Sequence, residues 1–67
     1  MKTTPINPKV HQVLISKGFI YKARGHVDVY NKDGTIIFIY MTDYCFMLIN
    51  GKVATRKEFE DATQLPV

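Results

Sequence analysis

Everything else in the chain has to fit around Thr35-Ile36-Ile37-Phe38-Ile39-Tyr40-Met41-Thr42-Asp43-Tyr44-Cys45-Phe46-Met47-Leu48-Ile49. β-Branched and aromatic residues dominate it, and only Thr42-Asp43 interrupts it. It reads as two adjacent strands joined by a tight turn, the spine of an antiparallel sheet. The first of these strands does not alternate between apolar and polar. One face carries Ile37, Ile39 and Met41, and the other carries Ile36, Phe38 and Tyr40. A strand solvated on one side is polar there; this one is apolar on both.

Outward from the spine, Asn31-Lys32-Asp33-Gly34 is the strongest turn signal, with Asp-Gly supplying the positive φ angles of a hairpin. Before it, His26-Val27-Asp28-Val29-Tyr30 alternates, with Val27 and Val29 on one face and His26, Asp28 and Tyr30 on the other. Residues 19–22 form a further strand, and Ala23-Arg24-Gly25 a turn. After the spine, Asn50-Gly51 signals a second hairpin with 52–54 as its return strand. Asn7-Pro8 starts a helix over 8–17, with Asn as N-cap and Pro at the first helical position. Val10, Val13 and Leu14 give that helix one apolar stripe, Lys17 suits its last turn, and Gly18 ends it. Thr55-Arg56-Lys57-Glu58 has the capping-box pattern and opens a helix over 55–63, with Phe59 and Ala62 on one face. Leu65 packs as the chain leaves, and Pro66 blocks continuation. The expected fold is α+β: a short N-terminal helix, a four- or five-stranded antiparallel sheet built of hairpins, and a short C-terminal helix. It makes one small domain over 1–67, with 1–6 a flexible arm.

A chain of 67 residues buries only about 60% of its unfolded surface. Two short helices therefore cover one sheet face and leave the other open. At 46% hydrophobic and 22% charged, the composition is that of a globular chain. The charge of +3 permits an acidic partner or nucleic acid without demanding either. Cys45 is the one cysteine, so no internal disulfide forms and a reducing compartment is the natural reading. No apolar segment follows the N-terminus as in a signal peptide. The apolar runs 36–41 and 44–49 are too short to span a bilayer. The expected location is cytoplasmic, with no membrane partner.

No catalytic or cofactor motif is present, so no catalytic residue, no metal and no cofactor is expected. His11 and His26 lack a cluster of further ligands at metal spacing. His11 falls off the apolar stripe and reads as exposed. His26 shares a strand face with Asp28, an arrangement that an acid–base pair has but that reads first as a polar strand start. Cys45 sits between Tyr44 and Phe46 with no base nearby, as a buried inert thiol does. The aromatic set is the best lead. Tyr30, Phe38 and Tyr40 fall on comparable phases of neighbouring strands, with Ile36 beside them and Tyr21 a further candidate. They read as a partner-binding face. Lys22, Arg24 and Lys32 lie at strand ends, and Arg56 and Lys57 open the last helix, where free N–H groups also attract anions. Those five cations are the candidate nucleic-acid contacts, with the aromatics as base-stacking groups. The third possibility is that this aromatic phase faces the core.

The order helix, Gly18-Phe19, strand, basic turn with Gly25, strand ending in Tyr30, Asp33-Gly34 and a further strand resembles the HicA-type mRNA interferase toxins over residues 10–40. That resemblance implies a compact double-stranded-RNA-binding-like fold. The family pattern has glycine, a small residue and then the catalytic histidine. Here His26 follows Gly25 directly and Val27 occupies the histidine's place, so the resemblance does not carry the nuclease activity with it. The expected function is that of a small non-enzymatic binding or regulatory protein, such as an inhibitor of the phage or mobile-element type. It would act through its apolar and aromatic sheet face on a protein partner or on itself as a homodimer. The alternatives are an RNA- or single-strand-binding module and a HicA-like ribonuclease.

Overall fold

A computed structural model describes residues 4–42 and 45–65. The element order is α1 (Pro8–Ser16), β1 (Ile20–Arg24), β2 (Val27–Lys32), β3 (Thr35–Tyr40), β4 (Cys45–Ile49), β5 (Lys52–Val53) and α2 (Arg56–Thr63). The strands form one antiparallel sheet in the order β1-β2-β3-β4-β5, each hydrogen-bonded to its sequence neighbour. The fold is α+β, as the hairpin signals and helix caps indicate.

The turns explain the register. Asp33 and Gly34 have φ of 45° and 86°, and Asn50 and Gly51 have 51° and 80°. Positive φ at both central residues is the type I′ geometry, whose twist matches that of paired strands. Lys32 is therefore opposite Thr35, and Ile49 opposite Lys52. Asn31 and Lys32, expected in the turn, belong to β2. Ala23 and Arg24, also expected in a turn, extend β1, and Arg24 pairs with Val27. The turn expected at Thr42-Asp43 is described only in its first half: the chain turns at Met41 and Thr42, and residues 43–44 lie outside the described residues, as do 1–3 and 66–67.

Both helices close as their sequences require. Asn7 accepts a hydrogen bond from Val10 N–H at 3.2 Å. At the other end of α1, Gly18 takes φ +94°, Phe19 N–H bonds Leu14 C=O and Gly18 N–H bonds Ile15 C=O. That pair of bonds is the Schellman motif, which satisfies carbonyls the helix leaves free. On α2, Thr55 and Glu58 form the full capping box.

The core lies between the helices and one sheet face. Val10 and Leu14 of α1 meet Tyr30, Ile37, Ile39 and Met47, with Phe59 and Ala62 of α2 packed alongside. The arm that was expected to be loose is anchored at its inner end. Ile6 packs on the core, and its N–H donates to Asp28 at 2.8 Å.

Candidate functional site

Cross-strand pairing places three rows of side chains on the sheet face opposite the helices. Ile20, Asn31, Ile36, Leu48 and Val53 make one row, Lys22, Val29, Phe38 and Phe46 the next, and Arg24, Val27 and Tyr40 the third. The buried apolar residues of the sheet, Tyr30, Ile37, Ile39 and Met47, all belong to the other face. Among the described residues neither helix packs here. Val27, Val29, Ile36, Phe38, Tyr40, Phe46 and Leu48 are half-buried. Edge residues Ile20 and Val53 are 66% and 75% exposed. The Phe38 and Phe46 rings stack at 4.7 Å between centroids, 20° apart, and Tyr40 and Phe46 stack at 6.0 Å, also 20° apart. Rings stacked across strands turn faces toward one another and edges outward. The centre of the open face is thus an aromatic ridge flanked by aliphatic side chains.

Of the expected partner-binding residues, Phe38, Tyr40 and Ile36 share this face. Tyr30 does not. It is opposite Ile37, is fully buried, and sits beneath α1. Its phenol oxygen is 2.9 Å from Nδ1 of His11, and its ring packs tilted against Tyr21 at 5.2 Å. Tyr30 is a core residue; the two-residue Asp33-Gly34 turn shifts it one position out of phase with Phe38. Tyr21, opposite Tyr30, is likewise on the helix side. Phe46, Val29, Leu48, Val27, Ile20 and Val53 are face residues that sequence reasoning passed over; the register set by the two turns was the signal that reveals them.

The histidines also differ from expectation. His11 is half-buried, bonds Tyr30, and meets the Tyr21 ring edge-on at 4.8 Å. It reaches the core because the α1 stripe is wider than three positions. His26 is exposed in the β1–β2 turn, outside the strand on which it was to pair with Asp28. Asp28 is buried, and its oxygens accept from Ile6 N–H and from Tyr21 O–H at 3.1 Å. Burial, then the hydrogen bond and charge of Asp28, push the Tyr21 phenol up. Burial pushes Tyr30 up further, with Asp28 and Tyr21 adding to it. These groups form a satisfied polar cluster that pins α1 and the arm to the sheet.

The five cations do not gather in one place. Lys22 and Arg24 flank the open face on β1, and no carboxylate shares that face among the described residues. Lys32 is on the helix side: its Nζ donates to Lys17 C=O at the end of α1 and lies 5.8 Å from the centroid of the Phe19 ring. There it satisfies a helix carbonyl and favours the negative end of the dipole. Arg56 and Lys57 are exposed on α2, which packs on the other face. Cys45 is half-buried on the core side opposite Ile39. Among the described residues no His, Cys, Asp or Glu cluster is arranged to hold a metal, and no helix is long and apolar enough to cross a membrane.

Comparison with known protein families, with curated proteins and with solved structures gave no match.

Proposed function

We propose that this chain is a small binding protein without catalytic activity, working through the open sheet face on a protein partner or on a second copy of itself. One observation supports the reading above the others. Seven half-buried apolar side chains on three strands lie contiguous on a face on which, among the described residues, neither helix packs. Contiguous apolar patches above roughly a few hundred Å² are uncommon on monomers and mark interaction surfaces. Phe38 and Tyr40 are the anchors of the surface, joined by Phe46, since aromatics dominate interface energies. An inhibitor or regulator has this economy: one helix-braced sheet whose outer side meets the partner.

The nucleic-acid reading draws on Lys22 and Arg24 beside the aromatics, but its other three cations lie elsewhere. Base stacking also needs ring faces turned outward, and here Phe38, Phe46 and Tyr40 turn faces to one another. The protein-partner reading is the better supported.

The test is the double substitution Phe38→Ser with Tyr40→Ser. It is expected to leave the far-ultraviolet circular dichroism spectrum unchanged while abolishing both self-association in sedimentation and retention of any specific protein from a host extract. A double variant that unfolds outright would show that this face belongs to the core.

A further inference from the structure

We infer that the occupant of the open face is a second copy of this chain, packed sheet on sheet about a two-fold axis that runs along the strands. The inference rests on the open face being a binding surface, and it names the partner and its orientation.

The face fits a copy of itself in extent. Strands of this length, spaced as paired strands are, give a footprint of roughly 400 Å² per chain. Counting the corrugation of the side chains, two such faces bury on the order of 1,000 Å² together, the level at which specific interfaces begin. Any other partner must offer a flat, apolar, twisted surface of the same size, which a second sheet supplies. Two twisted sheets pack about 10 Å apart with strands near −30°. The outward edges of the Phe38, Phe46 and Tyr40 rings suit interdigitation with a second side-chain layer.

Of the dyads that lie between the sheets, those close to the strand direction and those close to its perpendicular keep the strands within that angle, and the side-chain pattern chooses between the two. An axis across the strands lays β1 on β1 of the copy, so Lys22 meets its own counterpart and Ile20 falls against Arg24. Like charges then face each other in an interface that excludes water, an unfavourable placement. An axis along the strands lays β1 over β5 and β3 over β3. It keeps the two sets of cations at opposite margins and brings Phe38 next to its own copy. It also solves the edges. Ile20 and Val53 are the most exposed apolar residues of the face and stand at opposite ends of one cross-strand row. An axis along the strands preserves position along them, so Ile20 of each chain covers Val53 of the other.

The experiment measures sedimentation equilibrium of the full chain and of paired edge variants. The parent is expected to dimerise in the micromolar range, and Phe38→Asp to be monomeric with an unchanged far-ultraviolet spectrum. If that variant fails to fold, Val29→Lys serves in its place. Ile20→Glu with Val53→Lys makes opposite charges meet twice per dimer; Ile20→Glu with Val53→Glu makes like charges meet twice. The first is expected to associate about tenfold more tightly than the second. Equal affinities for the two overturn the orientation, and a parent that stays monomeric throughout overturns the second copy as partner. A monomeric parent that retains a host protein, and loses it with Phe38→Asp, leaves the binding role of the face standing. A monomeric parent that binds single-stranded RNA, abolished by the same change, overturns both. So does a monomeric parent that binds neither.

Discussion

Tyr30 is the residue whose position most changes the reading of the chain. In the alternating segment before the hairpin it resembles an outward aromatic of the kind that binds partners. Two residues decide otherwise. Asp33-Gly34 is a two-residue loop, so Lys32 faces Thr35, and counting back puts Tyr30 against Ile37. The turn alone dictates this register, because Asn31 and Lys32 belong to the strand and not to the loop. Asp28 was less legible. A carboxylate among core side chains runs against ordinary burial preference, and its donors Ile6 and Tyr21 are distant in sequence. Removing the phenol oxygen tests the cluster. Tyr30→Phe is expected to cost about 1 kcal/mol at neutral pH by unpairing His11. It is also expected to flatten the alkaline loss of stability. The Tyr30 phenol is raised above its ordinary value of 10.0. The unfolded chain therefore releases this proton first, and stability that is whole below pH 10 falls as pH rises toward the folded value. Denaturant titrations at neutral pH and above pH 10 measure both effects. Equal alkaline slopes for parent and variant would remove Tyr30 from the account.

At the scale of elements, the punctuation was the most legible part of the sequence, because caps and turns are decided locally. Asn7-Pro8, Gly18, Asp33-Gly34, Asn50-Gly51 and Thr55 with Glu58 all do what their chemistry predicts. Strand ends were less legible: Ala23-Arg24 carries no turn chemistry of its own, and only pairing with Val27 holds it extended. The capping box gives a two-part prediction. Thr55→Ala removes the acceptor for Glu58 N–H, held at 3.2 Å, and is expected to cost about 1 kcal/mol in denaturant midpoint measurements. The box is also acid-sensitive. Thr55 N–H, then the Thr55 hydroxyl, hold the Glu58 carboxyl below its usual range. Its contribution is present above the ordinary value of 4.5 and disappears as pH falls through the lower folded value. Thr55→Ala removes the hydroxyl's share and keeps the backbone N–H, so it should destabilise somewhat less in acid than at neutral pH; a cost that does not change with pH would mean that the Thr55 hydroxyl does not bond the carboxylate.

For the whole molecule, the two faces of β3 make opposite claims that one pair of substitutions can compare. Ile37 and Phe38 are adjacent in sequence, both apolar, and project to opposite sides of the same strand. Nothing in the composition of the strand distinguishes them, which is why either phase could be assigned to the core from sequence. The helices break the symmetry. Val10, Leu14, Phe59 and Ala62 all belong to the core on the Ile37 side, and among the described residues neither helix packs on the other. Ile37 is fully buried, so Ile37→Ala is expected to lose about 2–4 kcal/mol, the transfer and cavity costs together. Phe38 is half-buried and keeps water on its outer edge, so Phe38→Ala leaves no enclosed cavity and is expected to cost the dilute monomer far less, despite deleting the larger side chain. The comparison must be made at high dilution, because anything bound to the open face adds its own stabilisation by mass action. Raising the protein concentration should then widen the penalty of Phe38→Ala and leave that of Ile37→Ala nearly as it was. A Phe38→Ala cost that matches Ile37→Ala in dilute solution, unmoved by concentration, would mean that both faces of β3 are enclosed within one chain, and the binding surface would have to be sought elsewhere.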